Sequence, residues 1–191
     1  MKMLIVVDMV NGFVNEGALA DNNINKITPT IVSLIERAKQ KGVKVVAFRD
    51  CHEPNDVEFQ SFPPHCIKGT TECELIPEIK RFEDQMIVID KPTTNGYNTQ
   101  EFRRLLTHYD VDSITVCGCC TDICVENLVN SLLRFNKLND VDCDVNVVEN
   151  ACYTFDSPTH NAQREHNMSI ERMFANGAKI VDFYSESENI R

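Results

Sequence analysis

Six short apolar runs alternate with segments of helical spacing along this chain. That alternation constrains the fold more than any other feature. The runs fall at residues 4–7, 43–48, 86–89, 114–117, 145–148 and 179–183. Short runs rich in Val and Ile read as strands buried in a sheet. Between them, Ile27, Ile31, Leu34, Ile35 and Ala38 repeat at helical spacing over 27–41, and Gly42 stands where a helix stops. Phe102, Leu105 and Leu106 give an apolar face to 99–109, and Val125, Leu128, Val129 and Leu132 give one to 121–135. A long helix over 159–176 is closed by Gly177. Strands alternating with helices predict an α/β fold: a doubly wound, mostly parallel six-stranded sheet with helices on both faces. With 191 residues, the expectation is a single domain over 1–191, frayed at its polar tail, 185–191.

Such sheets carry their chemistry at the carboxyl ends of the strands. Cys124 lies in the first turn of the helix after the fourth run. There the positive helix terminus is expected to lower the thiol pKa, Thr121 to cap the helix, and free backbone N–H groups to face an oxyanion. Asp8 ends the first run, and Lys91 the third. A carboxylate in such apolar company calls for a partner, which Lys91 can be. An Asp–Lys–Cys group suits nucleophilic hydrolysis, although an ion pair across the sheet top and a buried structural cysteine explain the same residues.

Asp50 and His52 follow the second run, and His65 comes later in the same long loop. In an extended Asp-x-His segment both side chains point the same way. With His65 they offer a donor set for zinc, iron or manganese, with Glu58 as a further ligand directly or through water. Loop histidines are more often simply solvated. Cys51 faces away and reads as packing. Phe13 and Phe62 flank these groups and could sandwich a flat ring, where ordinary core packing is the commoner fate of a Phe.

The formal net charge of −10 disfavours binding to nucleic acid or an anionic membrane. No run has the length of a signal peptide core or a membrane span, so a cytoplasmic protein is expected. Nine cysteines, an odd number without framework spacing, favour free thiols.

Three motifs in order, Val6-Val7-Asp8-Met9-Val10-Asn11-Gly12-Phe13, Asp90-Lys91-Pro92 and Gly118-Cys119-Cys120-Thr121-Asp122-Ile123-Cys124-Val125, resemble the isochorismatase-like cysteine hydrolases. The resemblance runs from Met3 to about Val181. It implies Asp8, Lys91 and Cys124 as the catalytic set, a cis peptide between Cys119 and Cys120, and an oxyanion hole from the N–H groups of Cys120 and Cys124. The second loop, Asp50-Cys51-His52 followed by Phe62-Pro63-Pro64-His65-Cys66-Ile67-Lys68-Gly69-Thr70, is similar to the nicotinamidase (pyrazinamidase) branch. That branch implies a divalent metal on Asp50, His52 and His65, zinc ahead of iron or manganese, with Glu58 matching an acidic ligand of some members. It further implies a small amide substrate whose ring packs against Phe13 and Phe62, with Tyr97 nearby, a place in NAD salvage, and a homo-oligomer. His166 matches a helix histidine of structural role. The chain departs from the pattern with Phe62 where Trp is common, Tyr97 where Phe is common, Glu126-Asn127-Leu128 after the nucleophile, and a polar stretch over 136–144.

Two alternatives use the same fold. One is hydrolysis of a ureido, carbamoyl or other small amide without the metal set. The other is a thiol-redox protein using Cys117, Cys119, Cys120 and Cys124. Isochorismate itself is a poor fit, since hydrolases of that vinyl ether are expected to lack the cysteine.

Overall fold

The computed structural model describes residues 1–183, so the expected fraying of 185–191 lies outside the described residues. Six strands, β1 (Lys2–Val7), β2 (Lys44–Asp50), β3 (Ile87–Lys91), β4 (Ser113–Gly118), β5 (Asp144–Cys152) and β6 (Lys179–Val181), form one sheet in the order β3-β2-β1-β4-β5-β6. Every pairing is parallel. The helices are α1 (Asn11–Val14), α2 (Thr28–Gln40), α3 (Pro77–Lys80), α4 (Gln100–His108), α5 (Glu126–Asn139) and α6 (Ala162–Ala175). The chain winds outward through β2 and β3, returns to β4 beside β1, and winds the other way. Right-handed crossovers therefore put α2 on one face and α5 and α6 on the other. The order reverses between β1 and β4, and a crevice opens there beyond the strand ends.

The core is the predicted one. Ile5, Val6, Val46, Phe48, Val116 and Val147 are fully buried in the sheet, and Ile31, Leu34, Phe102, Leu128 and Val129 cover it from the helices. Polar residues extend several elements past their apolar runs. Asp50 and Lys91 are still in register with each other at the ends of β2 and β3. Residues 136–139, beyond the expected helix 121–135 and within the polar stretch, are the last turn of α5. It ends on Asp140 in the left-handed conformation, with Asn136 Nδ2 donating to the Cys143 carbonyl at 2.6 Å. α6 starts at Ala162, not 159, because Ser157 and His160 close a backbone turn first and Asn161 caps the helix by accepting from Arg164 N. No described helix is long and apolar enough to cross a membrane.

Gly118 sets how closely the crevice strands approach. It has φ +121°, and a Cβ there would overlap the backbone of Val7. Gly118→Ala combines strain with a clash against an immovable strand, which costs about 3 kcal/mol or more. A fall in Tm of about 6 °C or more is expected in thermal unfolding. An unchanged Tm would mean that β1 and β4 are not held this tightly.

Candidate active site

β1 ends at Val7, and Asp8 turns out of the sheet with φ +52°, a conformation that Asp tolerates better than most residues. Its side chain is fully buried at the crevice. Lys91 reaches in from the end of β3, also fully buried. Its Nζ lies 2.8 Å from Asp8 Oδ2, 2.8 Å from Asp50 Oδ1, 2.9 Å from the Thr93 carbonyl and 3.8 Å from Cys124 Sγ. One ammonium thus joins three strand ends to the thiol. Beside its ion pair with Lys91, the Asp8 carboxylate has the Cys124 thiol as a hydrogen-bonding neighbour, so it is placed to accept the thiol proton.

Cys124 lies in a π-helical turn, Thr121–Val125, that precedes α5, and the peptide between Cys119 and Cys120 is cis. Two expectations about this turn are corrected. Thr121 is not a helix cap, because the cap position is Cys120 and makes no side-chain bond. The Thr121 hydroxyl instead pairs with His166 Nδ1 at 2.9 Å, and Ser169 Oγ donates to the Thr121 carbonyl at 3.0 Å, so α6 clamps the turn. His166 is structural, as read. Nor is the thiol pKa lowered. Cys124 is 6% exposed, and burial, with Asp8 and Asp50 nearby, raises it well above the ordinary value although Lys91 pulls it down. The resting group is a thiol that needs a base. Asp8 suits that role: burial outweighs the attraction of Lys91 and pushes its carboxyl up to about 6. Burial also pushes Asp50 up, but Lys91, His52 and His65 outweigh it and hold Asp50 well below the usual carboxylate range.

The Asp-x-His geometry holds. Asp50 Oδ2 is 2.9 Å from His52 Nε2 and 3.1 Å from His65 Nε2. One ligand atom from each of the three lies within 4.8 Å of the other two, and all three residues are buried. His65 Nδ1 is fixed by the Pro63 carbonyl at 2.8 Å, and His52 Nδ1 faces Asp56 Oδ2 at 3.3 Å. The Pro63 contact turns His65 Nε2 inward, as a metal-ligating histidine requires, and the nearby Asp56 carboxylate stands on the outer side of His52. Two buried carboxylates also share a single ammonium, which leaves negative charge that a cation would neutralise. The donor set fits a divalent ion. Glu58 stands outside the tight triad but lines the same cavity. Cys51 points away, its Sγ packed 3.4 Å from that of Cys73.

A cavity of about 340 Å³ opens over this group. Phe13, Asp50, Glu58, Phe62, His65, Cys120 and Cys124 all line it. Phe13 and Phe62 flank His65, with ring centroids 5.8 and 6.2 Å from it. Tyr97 is not among the lining residues, and its ring lies against Phe135 of α5. Four residues escaped the sequence reading: Asp56, Phe59, Phe155 and His160. Asp56 had a signal, an acidic residue four positions after His52. Phe59 packs on both histidines, and Phe155 and His160 come from a distant segment with no motif of their own. Cys117 and Cys119 are fully buried; burial raises the Cys117 thiol, and the bond to Cys120 together with burial raises that of Cys119, whereas Cys120 and Cys124 face the cavity. A larger cavity, about 450 Å³, lies at the amino ends of the strands. Its Lys179–Asp144 and Asp112–N-terminus pairs are closed at 2.6 and 3.0 Å, and neither a cysteine nor a histidine lines it.

The sequence matches the Isochorismatase domain family over residues 2–184. Nicotinamidase 1 of Arabidopsis thaliana is 34% identical over 178 residues, covering 84% of this chain and 72% of that one. The pyrazinamidase of Pyrococcus horikoshii, solved in complex with zinc, superposes with a TM-score of 0.78 at 26% identity, over 95% of this chain and 98% of that one. The N-carbamoylsarcosine amidase of Thermoplasma acidophilum superposes with a TM-score of 0.79 at 26% identity, over 95% and 96%.

Proposed function

Given that the chain belongs to the isochorismatase family, we propose that it is a metal-dependent nicotinamidase, hydrolysing nicotinamide to nicotinate and ammonia through a thioester on Cys124. The observation that carries this reading is the double use of Asp50. One oxygen pairs with Lys91, which touches Asp8 and Cys124, and the other faces both histidines. A ureido or carbamoyl hydrolase without a metal has no need of the second half of that arrangement. The similarity to a nicotinamidase and to a zinc-bound pyrazinamidase supports the same reading.

In the proposed reaction the ring lies by Phe13 and Phe62. A divalent ion held by Asp50, His52 and His65, with Glu58 alongside, would supply a Lewis-acid anchor for the ring nitrogen. Asp8 accepts the thiol proton, and Lys91 holds the charge that develops on sulfur. The sulfur attacks the carboxamide carbon, and its oxygen gains negative charge against the N–H groups of Cys120 and Cys124. One such donor is worth about 3 kcal/mol in hydrolases. Asp8 returns the proton to nitrogen, the C–N bond breaks and ammonia leaves. Asp8 then takes a proton from water, which attacks the thioester, and the thiol is restored with release of nicotinate. Burial of all three groups keeps these charges out of bulk solvent, where they would be screened.

Asp8 acts as a base only when ionised. Its carboxyl, raised to about 6 mainly by burial, predicts a kcat/KM that is level above that pH and falls about tenfold per unit below it. A cation at Asp50 favours the carboxylate and moves this limb to lower pH, never higher. A pH–rate profile with bound metal assayed at each point checks this, and a limb centred above about 7 would assign the base elsewhere. The function is tested by comparing kcat/KM for nicotinamide, an N-carbamoyl amino acid and a ureidoacrylate. Preference for nicotinamide is expected, and preference for either of the others would overturn the substrate assignment.

A further inference from the structure

The cavity has a third aromatic wall that the chemistry above does not use. Phe155, on the segment after β5, lines the cavity together with Phe13 and Phe62. Its ring lies flat on the imidazole of His160, with centroids 3.9 Å apart and planes 6° from parallel. Both imidazole nitrogens face acceptors. Nδ1 is 2.9 Å from the carbonyl oxygen of Phe155 itself, and Nε2 is 2.8 Å from Asp122 Oδ2. Two acceptors call for a proton on each nitrogen, hence an imidazolium, and a cation over an aromatic face is attractive. Asp122 belongs to the turn that carries Cys124, so the wall is tied to the nucleophile.

The next residue is pinned as well. Asp156 N donates to Asp21 Oδ2 at 2.8 Å, and Asp156 Oδ1 accepts from Ala162 N at 2.9 Å. Asp21 N in turn donates to the Phe13 carbonyl at 3.0 Å, so the segment is fastened to the backbone of another lining residue. A partly exposed aromatic side chain with its backing ring, that ring's counter-ion and its flanking backbone all fixed is a built surface, not a loose loop residue.

We propose that Phe155 is the specificity-determining wall of this site, with His160 and Asp122 as positioning residues that hold its ring in place and so set the width open to the substrate ring. The proposal rests on the reading of the site as an aromatic carboxamide hydrolase. Its selectivity is for a single ring over a fused pair, because a benzo-fused substrate needs the space that Phe155 fills.

The test compares kcat and KM for nicotinamide and quinoline-3-carboxamide in the wild type, Phe155→Ala, His160→Gln and Asp122→Asn. Phe155→Ala is expected to lower the nicotinamide-to-quinoline ratio of kcat/KM by about tenfold or more, with the nicotinamide loss carried by KM. His160→Gln and Asp122→Asn are expected to move the ratio in the same direction by a smaller factor, since they act through Phe155. A ratio unchanged in Phe155→Ala, or equal losses on both substrates, would overturn the proposal and leave Phe155 a structural residue. If the wild type hydrolyses neither amide, the activity reading fails. The wall is then read separately from equilibrium binding of pyridine-3-carboxaldehyde against quinoline-3-carboxaldehyde, where the same shift in ratio supports it and no shift rejects it.

Discussion

Cys124→Ala is expected to reduce turnover by about 10⁴-fold or more, because members of a nucleophile–base unit fail together when one is lost. That loss corresponds to about 5 kcal/mol of transition-state stabilisation. No other described thiol takes over. Cys120 lines the cavity too, but the thiol that Lys91 Nζ stands beside, at 3.8 Å, is that of Cys124. The substitution removes one small buried atom and leaves the Asp8–Lys91–Asp50 pairing untouched, so folding and metal uptake are expected to persist. Steady-state rates, circular dichroism and metal content on the same preparation separate these effects. A variant within about tenfold of the wild-type rate would remove Cys124 from the mechanism.

The second large effect is at the histidine cluster. His65→Ala is expected to lower metal affinity by about 10²-fold or more, since even the loss of an outer partner costs 10–100-fold. Activity falls with occupancy and is partly restored by excess metal. Asp50→Asn goes further, because Asp50 also holds Lys91 at 2.8 Å. Its activity is expected to stay low even at saturating metal. Metal analysis after dialysis, paired with rates across a metal titration, distinguishes the two variants. Stoichiometric metal and full activity in His65→Ala would mean that the cluster is a structural hydrogen-bond network.

These predictions rest on residues that differ in how legible they were. The apolar runs placed the six strands, and the rule that chemistry gathers at carboxyl ends placed Asp8, Lys91, Asp50 and Cys124 in one crevice. The resemblance to a hydrolase family then gave them roles. The link from Lys91 to Asp50 was hidden, because it depends on the register of β2 against β3, which pairs Asp50 with Lys91. The thiol environment differs from the local expectation for a related reason. A helix terminus can be read locally, but the burial of Cys124 and its exposure to two carboxylates depend on what the rest of the chain packs around it. The position of Thr121 points to a cap, yet its partner His166 is 45 residues away. Phe155 and His160 have neither periodicity nor spacing to mark them, and only the turn before α6 folds them over the cavity.

The most direct test of the central claim is ammonia release from nicotinamide by protein stripped with a chelator and then reloaded with zinc, iron or manganese. Reloaded protein is expected to release ammonia and nicotinate in equal amounts, and stripped protein to be inactive. Equal rates with and without metal would contradict the role given to Asp50, His52 and His65. No release from reduced, metal-loaded protein would contradict the nicotinamidase assignment itself.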